Sequence, residues 1–314
     1  MSELYVLGAG MSGLLWGYYH PDYRLVTDQL GRVVTGADPV VWLNDTDLTR
    51  KLLTDLGFLV RPVKKEIGYR CAGATRSFET TAKDHPGLLD DVLVKKMVPW
   101  EALDAARCAG IEVRVVTPSR TFTKDSGVLR YLDVDVKEVA ARLVEAVKYR
   151  ISIDRVLFVD ADGIATESSG TNFLGYDRLV STLPAPVFKR LWSGESVMPR
   201  LHHCPVTFVV SAQKPEWWED RYAVVYDADL DSPVSRVGRF GDTWRYEFTG
   251  RPDEDTLNDY LPVAEGRFVN PYGRIVQDVV LEPPDPKITF LGRSAEWDYR
   301  GLIDRTLERV YGQR

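Results

Sequence analysis

The sequence has little sulfur and little histidine. Its three cysteines, Cys71, Cys108 and Cys204, stand far apart, and no CxxC occurs. That spacing offers neither a disulfide framework nor a zinc site. Four histidines in 314 residues leave scant material for a histidine-based triad. The pair His202-His203 beside Cys204 reads as strand, where adjacent side chains point to opposite faces and converge poorly on one ion. No metal is expected. Ser126 and Ser181 lack the glycine context of a nucleophile elbow.

Long apolar runs are missing too. None reaches the roughly 18 residues a membrane span requires. The apolar start carries no basic n-region and is broken by Gly8, Gly10 and Gly13, so it does not read as a signal peptide. A cytoplasmic protein with no membrane partner is expected. An excess of basic charge is also absent. The formal net charge is −6, with 44% hydrophobic and 27% charged residues. This excludes a global pull toward nucleic acid, although a local arginine-rich rim would suffice for a substrate carried on such a polymer. Repeats, low-complexity tracts and flexible linkers are lacking. Oligomeric state stays open.

What is present begins at "LYVLGAGMSGLLWGYY". Leu4 to Leu7 reads as a buried strand, Met11 to Tyr19 as a helix, and Arg24 to Thr27 as a second strand ending in Asp28. Gly8, Gly10 and Gly13 form G-x-G-x-x-G between strand and helix. The first glycine permits a tight turn, the second a close approach of backbone to pyrophosphate, and the third close packing of helix on strand. The helix N-terminus then presents N–H groups and partial positive charge to phosphate. An acid is expected about 20 positions on, for a ribose hydroxyl. Asp28 stands 20 residues after Gly8. The motif fits NAD or FAD.

Farther along, Thr46–Leu56, Glu101–Ala109 and Asp135–Lys148 carry helical apolar periods, the last with Asp135 and Glu138 in capping-box spacing. Residues 61–100 read as short strands and loops, and Ile111–Val116 as a strand. Val156–Val159 and the segment from Ile164 read as a hairpin turning at Asp162-Gly163. Leu179–Leu183 is a buried strand. Val206–Ser211, Tyr222–Tyr226, Ser235–Phe240 and Trp244–Thr249 alternate like antiparallel strands, and Asp253–Leu261 reads as a helix. The end, "ITFLGRSAEWDYRGLIDRTLERVYG", reads as strand, glycine turn and a helix running to the terminus.

Two of these stretches carry a resemblance. "DRLVSTLPAPVFKRL" resembles the strand that re-enters the FAD domain in amine-oxidase-like flavoproteins. "TFLGRSAEWDYRGLIDRTLERV" is similar to the C-terminal FAD segment of UDP-galactopyranose mutases and related flavin enzymes. "DSPVSRVGRF" resembles the mutase strand whose arginine meets the substrate diphosphate, with Arg236 at that place. "GADPVVWLNDTDLTRKLLTDLGF" is similar to the stretch that passes the flavin ring. There are departures. Asp38 to Trp42 contains no histidine where mutases usually carry one. Trp297, Tyr299 and Gly301 stand where their pattern has Tyr-x-Tyr and an acid.

The resemblance implies an α/β fold in which a Rossmann-type FAD-binding domain (residues 1–60, 112–195 and 275–314) interleaves with a smaller β-rich substrate or cap domain (61–111 and 196–274). It implies FAD as cofactor, held by Gly8, Gly10, Met11, Ser12, Gly13, Asp28, Val156, Gly292, Arg293, Gly301 and Leu302. The last helix N-terminus would face the flavin N1 and O2 edge. Flavin carries the hard chemistry, so few acid–base groups are required. Substrate-side candidates are Arg236, Trp297, Tyr299, Tyr272 and Trp42. Trp244, Tyr246, Arg239, Arg245, Arg267 and Arg274 are further aromatic or anion-binding material. An arginine fork suits a phosphate or carboxylate on a small-molecule or polymer-attached substrate.

The implied activity is oxidation of a C–N or C–H bond placed over flavin N5. The alternatives are a mutase-like sugar isomerisation that uses reduced FAD without net redox change, and a non-catalytic flavin-binding protein.

Overall fold

The computed structural model describes residues 3–30, 42–115, 127–170, 173–194, 198–261, 264–276, 279–298 and 303–312. Tyr299, Gly301 and Leu302, together with the 31–41 stretch that contains Asp38, lie outside the described residues. The chain divides into two compact units, one of residues 1–62, 131–201 and 278–314, the other of 63–130 and 202–277. Residues 112–130, expected with the first segment group, sort with the second.

The first unit is built on a parallel sheet. Its strands lie in the order Ile288–Phe290, Arg178–Ser181, Leu4–Ala9, Arg24–Leu30 and Ile151–Ile153, each paired in parallel with its neighbour. Parallel strands are covered on both faces, which is why they read as continuous apolar runs. Val6 and Val180 face a core shared with the helices Met11–Tyr19, Val136–Val147 and Ile303–Gly312. Tyr5, Leu7 and Leu179 face the other core, with Val159, Ile164 and Phe188. That second layer includes a three-stranded antiparallel sheet of Val156–Val159, Gly163–Thr166 and Leu174–Gly175. At its turn, Asp160 Oδ1 accepts from the amides of Asp162 and Gly163 at 2.9 and 2.8 Å.

Helix Val136–Val147 buries Val136, Val139, Ala140, Leu143 and Val147, the predicted stripe. Its capping box is half made. Asp135 accepts from the Lys137 amide at 2.8 Å, but the Glu138 carboxylate accepts from Arg142 instead of reaching back.

The second unit is an antiparallel sheet in which Gly266–Ile275, His203–Ser211, Thr243–Thr249, Val234–Phe240 and Tyr222–Asp227 follow one another. The ten-residue strand Pro62–Cys71 then pairs in parallel with Tyr222–Asp227. One face packs Trp218, Tyr222, Val237, Trp244, Tyr246 and Phe248, so Trp244 and Tyr246 are core residues here.

Three expectations require correction. Residues 61–100 hold one short strand, Ala74–Ser77, but are not only short strands and loops. They contain the long strand and two helices, Phe78–Asp84 and Leu88–Met97. The second helix buries Lys95 and Lys96 together with its apolar residues. Strand Gly266–Ile275 runs through Asn270-Pro271. It forms an edge strand, where a proline without its N–H is tolerated, and the register shifts there opposite Cys204–Val206. Ile111–Arg114 forms no strand. Finally, the chain after Gly292 is not one helix. It makes a single turn, Arg293–Glu296, and then breaks at Trp297 with φ +54°.

Candidate functional site

The first strand ends in Gly8, whose φ of +95° is costly for any residue with a Cβ. Thr182, at the end of the neighbouring strand, holds this loop. Its amide donates to the Leu7 carbonyl at 2.9 Å, and its hydroxyl lies 2.9 Å from the Leu7 carbonyl and 3.3 Å from that of Gly8. Gly13 allows the next helix to press on the loop, because a Cβ there would stand 2.0 Å from the Gly8 carbonyl oxygen. Gly10 is different. A Cβ on it would meet nothing within 4 Å.

Helix Met11–Tyr19 therefore opens toward free space. Its N-cap is Gly10, with no side chain capping it and no acid in the first turn. Its leading N–H groups and its dipole are left for an anion. Buried Leu14, Leu15, Trp16 and Tyr19 fasten the helix body.

Asp28 sits where the sequence places it, with a refinement. The second strand runs on to Leu30, and its register slips between Leu7 and Ala9, opposite Val26 to Leu30. Asp28 is exposed in this bulge, beside the glycine loop at the carboxyl end of the sheet. The Asp154 amide donates to the Thr27 carbonyl at 2.7 Å. This carries the chain past that edge toward Val156, which opens the three-stranded sheet and is half-buried against the second core.

The C-terminal turn comes to the same loop. Gly292, at φ +92°, lies so close to Ser12 that a Cβ would stand 2.3 Å from the Ser12 hydroxyl. Glu296 braces the turn. One carboxylate oxygen accepts from the Gly292 amide at 3.0 Å and the other pairs with Arg309 at 2.5 Å. Burial pushes the Glu296 carboxyl up, while Arg309 pulls it down. Arg293 begins the single helical turn, half-buried. Four residues, with the preceding amide already taken by Glu296, carry little dipole, and the start of the last helix, Ile303–Gly312, adjoins residues 299–302, which lie outside the described residues.

Gly8, Gly10, Ser12, Gly13 and Gly292 are thus gathered at one place, with Met11 buried under the helix start. The donor set suits a dinucleotide pyrophosphate. It offers uncapped amides, the space left by the missing Gly10 Cβ, and a carboxylate at the neighbouring strand end. Thr182 and Glu296 were not anticipated. Their only sequence signals are the position of Thr182 just after a buried strand and the i, i+4 spacing of Glu296 from Gly292.

The substrate-side candidates divide between the two units. Trp297 is fully buried. Its indole is packing beneath the turn, not an open wall, because the left-handed residue tucks it inward. Trp42 is half-buried near the Tyr131 ring, with centroids 6.1 Å apart. Tyr272 belongs to the second unit and lies edge-on to His203 at 4.9 Å.

Arg236 also belongs to the second unit. Its Nε donates to Glu247 Oε2 at 3.1 Å, and an Nη donates to the same oxygen. Arg274 pairs with Oε1 of the same carboxylate. Glu247 is almost completely buried. Arg236, expected to be free for a substrate anion, is therefore shared. Two guanidinium groups on one carboxylate still leave a positive surplus. Beside them Lys96 lies 4.2 Å over the Tyr226 ring, and Tyr226 pairs across the sheet with Arg236.

No family model and no curated protein matches the sequence. Solved structures do match the fold over the whole chain. A reduced UDP-galactopyranose mutase aligns with a TM-score of 0.66 at 12% identity, covering 100% of this chain and 96% of that one. The chain shares the fold of that mutase. A fatty acid isomerase from P. acnes, described as CLA-producing, aligns at 0.65 and 13%, covering 99% and 97%. Cyclohexylamine oxidase from Brevibacterium oxydans aligns at 0.60 and 15%, covering 99% and 97%. No helix among the described residues is long and apolar enough to cross a membrane.

Proposed function

We propose that the chain is an FAD-dependent oxidoreductase of the amine-oxidase-like class. The observation that carries this reading is the seating of the Gly292 turn on Ser12 of the glycine loop. A glycine loop alone suits NAD or FAD. A second glycine turn from the far end of the chain, pressed on the first, supports FAD.

When bound, FAD supplies the hydride acceptor for a substrate C–N or C–H bond. The chain's own residues supply binding and orientation. The amides at the start of helix Met11–Tyr19 hold the pyrophosphate, and Asp28 accepts from ribose hydroxyls. Thr182 and Glu296 keep the two glycine turns in place. In the second unit, Arg236 and Arg274 share Glu247 and offer their surplus charge to an anionic group on the substrate, whether a small molecule or a group on a larger polymer.

The same arginine pair favours a second reading, mutase-like isomerisation of a nucleotide sugar with reduced FAD. The aligned mutase structure supports it. One experiment separates the two. The purified protein is expected to carry flavin absorbance bands. Anaerobic bleaching by an amine such as putrescine or cyclohexylamine supports the oxidase. Turnover of a UDP-hexose only after dithionite reduction supports the mutase. Colourless protein that takes up no added FAD overturns both.

A further inference from the structure

The second unit contains a cavity of about 250 Å³ whose wall includes Arg70, Trp217, Asp227, Val234, Tyr246 and Tyr260. It is not on the face of the sheet that carries Arg236. Tyr226 and Asp227 are successive strand residues, as are Tyr246 and Glu247, so within each pair the side chains point to opposite faces. Tyr226 and Glu247 belong to the Arg236 face, and Asp227 and Tyr246 to the other.

The cavity is built around one oriented guanidinium. Arg70 Nη1 donates to Asp227 Oδ2 at 2.8 Å. Asp227 is 1% exposed and is also held by Lys95, whose Nζ lies 3.4 Å from Oδ1. The Arg70 guanidinium carbon stands 5.2 Å from the centre of the Trp217 ring. These contacts fix the plane of the group and use one end of it. Its side-on edge, Nε with the second Nη, is left over. Nε is shielded from solvent and meets no acceptor among the described residues. A buried donor without an acceptor is costly and points to a missing partner.

An arginine edge of this kind matches the two oxygens of a carboxylate. Beside its aromatic and aliphatic groups the wall also carries Gln213, Lys214, Glu216 and Ser232. The volume lies below the roughly 300–1,000 Å³ of pockets for drug-sized ligands. We propose that this cavity, on the sheet face opposite Arg236, is a second ligand site that takes a small carboxylate with a flat or apolar body, bound side-on by Arg70. The site does not depend on the proposed activity.

Calorimetry on the full flavin-loaded chain tests it, with benzoate as probe and benzamide and inorganic phosphate as controls. Benzoate is expected to bind at one site at least about tenfold more tightly than either control. Arg70→Lys keeps the charge but loses the fork, and is expected to weaken benzoate by at least about tenfold. Trp217→Leu leaves the Arg70–Asp227 pair in place and is expected to weaken it several-fold. It decides the matter if Arg70→Lys does not fold. The proposal is overturned by no benzoate binding up to about 10 mM, by equal or tighter binding of benzamide or phosphate, or by unchanged affinity in a folded variant.

Discussion

Gly292 rests on Ser12, with room between them for a hydrogen but not for a methyl group. Residues from opposite ends of the chain therefore share one van der Waals surface, and it is the surface on which a dinucleotide would lie. Gly292→Ala is expected to force the turn off the loop and to strain a φ of +92°, at a cost of about 1–3 kcal/mol. FAD affinity should fall with it. Chemical denaturation with and without FAD checks both effects. Unchanged stability and unchanged flavin content would show that the turn yields freely.

Gly10 and Gly13 make a sharper pair. A Cβ at residue 13 meets backbone at 2.0 Å, whereas one at residue 10 meets nothing within 4 Å. Gly13→Ala should therefore destabilise the apoprotein. Gly10→Ala should leave it folded, changing stability by no more than about 1 kcal/mol, and yet lose at least about tenfold in FAD affinity. Flavin titration of the two apoproteins reads this out. Normal FAD affinity in the Gly10 variant would falsify the assignment of that open space to pyrophosphate.

Glu247 neutralises part of two guanidinium groups in a buried setting. Glu247→Gln is expected to cost about 3–5 kcal/mol, the price of breaking a buried pair from one side. Lowering the apparent melting temperature at low ionic strength while leaving flavin binding intact is the expected signature, because the cluster and the glycine loop belong to different units. A variant as stable as the parent would mean that Arg236 and Arg274 reach other acceptors.

Lys95 gives a pH dependence. Burial pushes its ammonium down to about 8, against a reference of 10.5, with Asp227 opposing the shift. Between those values the unfolded chain holds a proton that the folded chain has released, so this group's contribution to stability rises with pH across the window. The stability of the parent relative to Lys95→Met should rise between pH 8 and 10 by on the order of 1 kcal/mol or more. Tyr69 and Tyr246, both pushed up to about 12 by burial, are common to the two proteins and cancel. Urea unfolding at the two pH values measures the difference, and a difference that does not change with pH rejects the shift.

Local sequence was sufficient where chemistry and geometry are themselves local. Gly8, Gly10 and Gly13 between an apolar strand and an apolar helix placed the glycine loop. The stripe from Val136 to Val147 placed its helix. The glycine before Arg293 marked the second turn. Each of these rests on backbone sterics or on a helical period, which neighbours in the chain reveal.

Tertiary structure decided what depends on partners distant in the chain. Lys95 and Lys96 are buried because Asp227, Asp229 and the Tyr226 ring are folded against them. Asn270-Pro271 lies in an edge strand, where only one side of the strand needs donors. Trp297 reads as a free aromatic after a flavin turn and is instead fully buried. Arg236 carries a motif, but its sharing of Glu247 with Arg274 comes from strand register, which no local pattern specifies. The sequence by itself thus determined the loop that suits a dinucleotide. Which side chains stand ready for a substrate was decided by long-range pairing of strands, since that pairing sets which charges neutralise one another and which rings are covered.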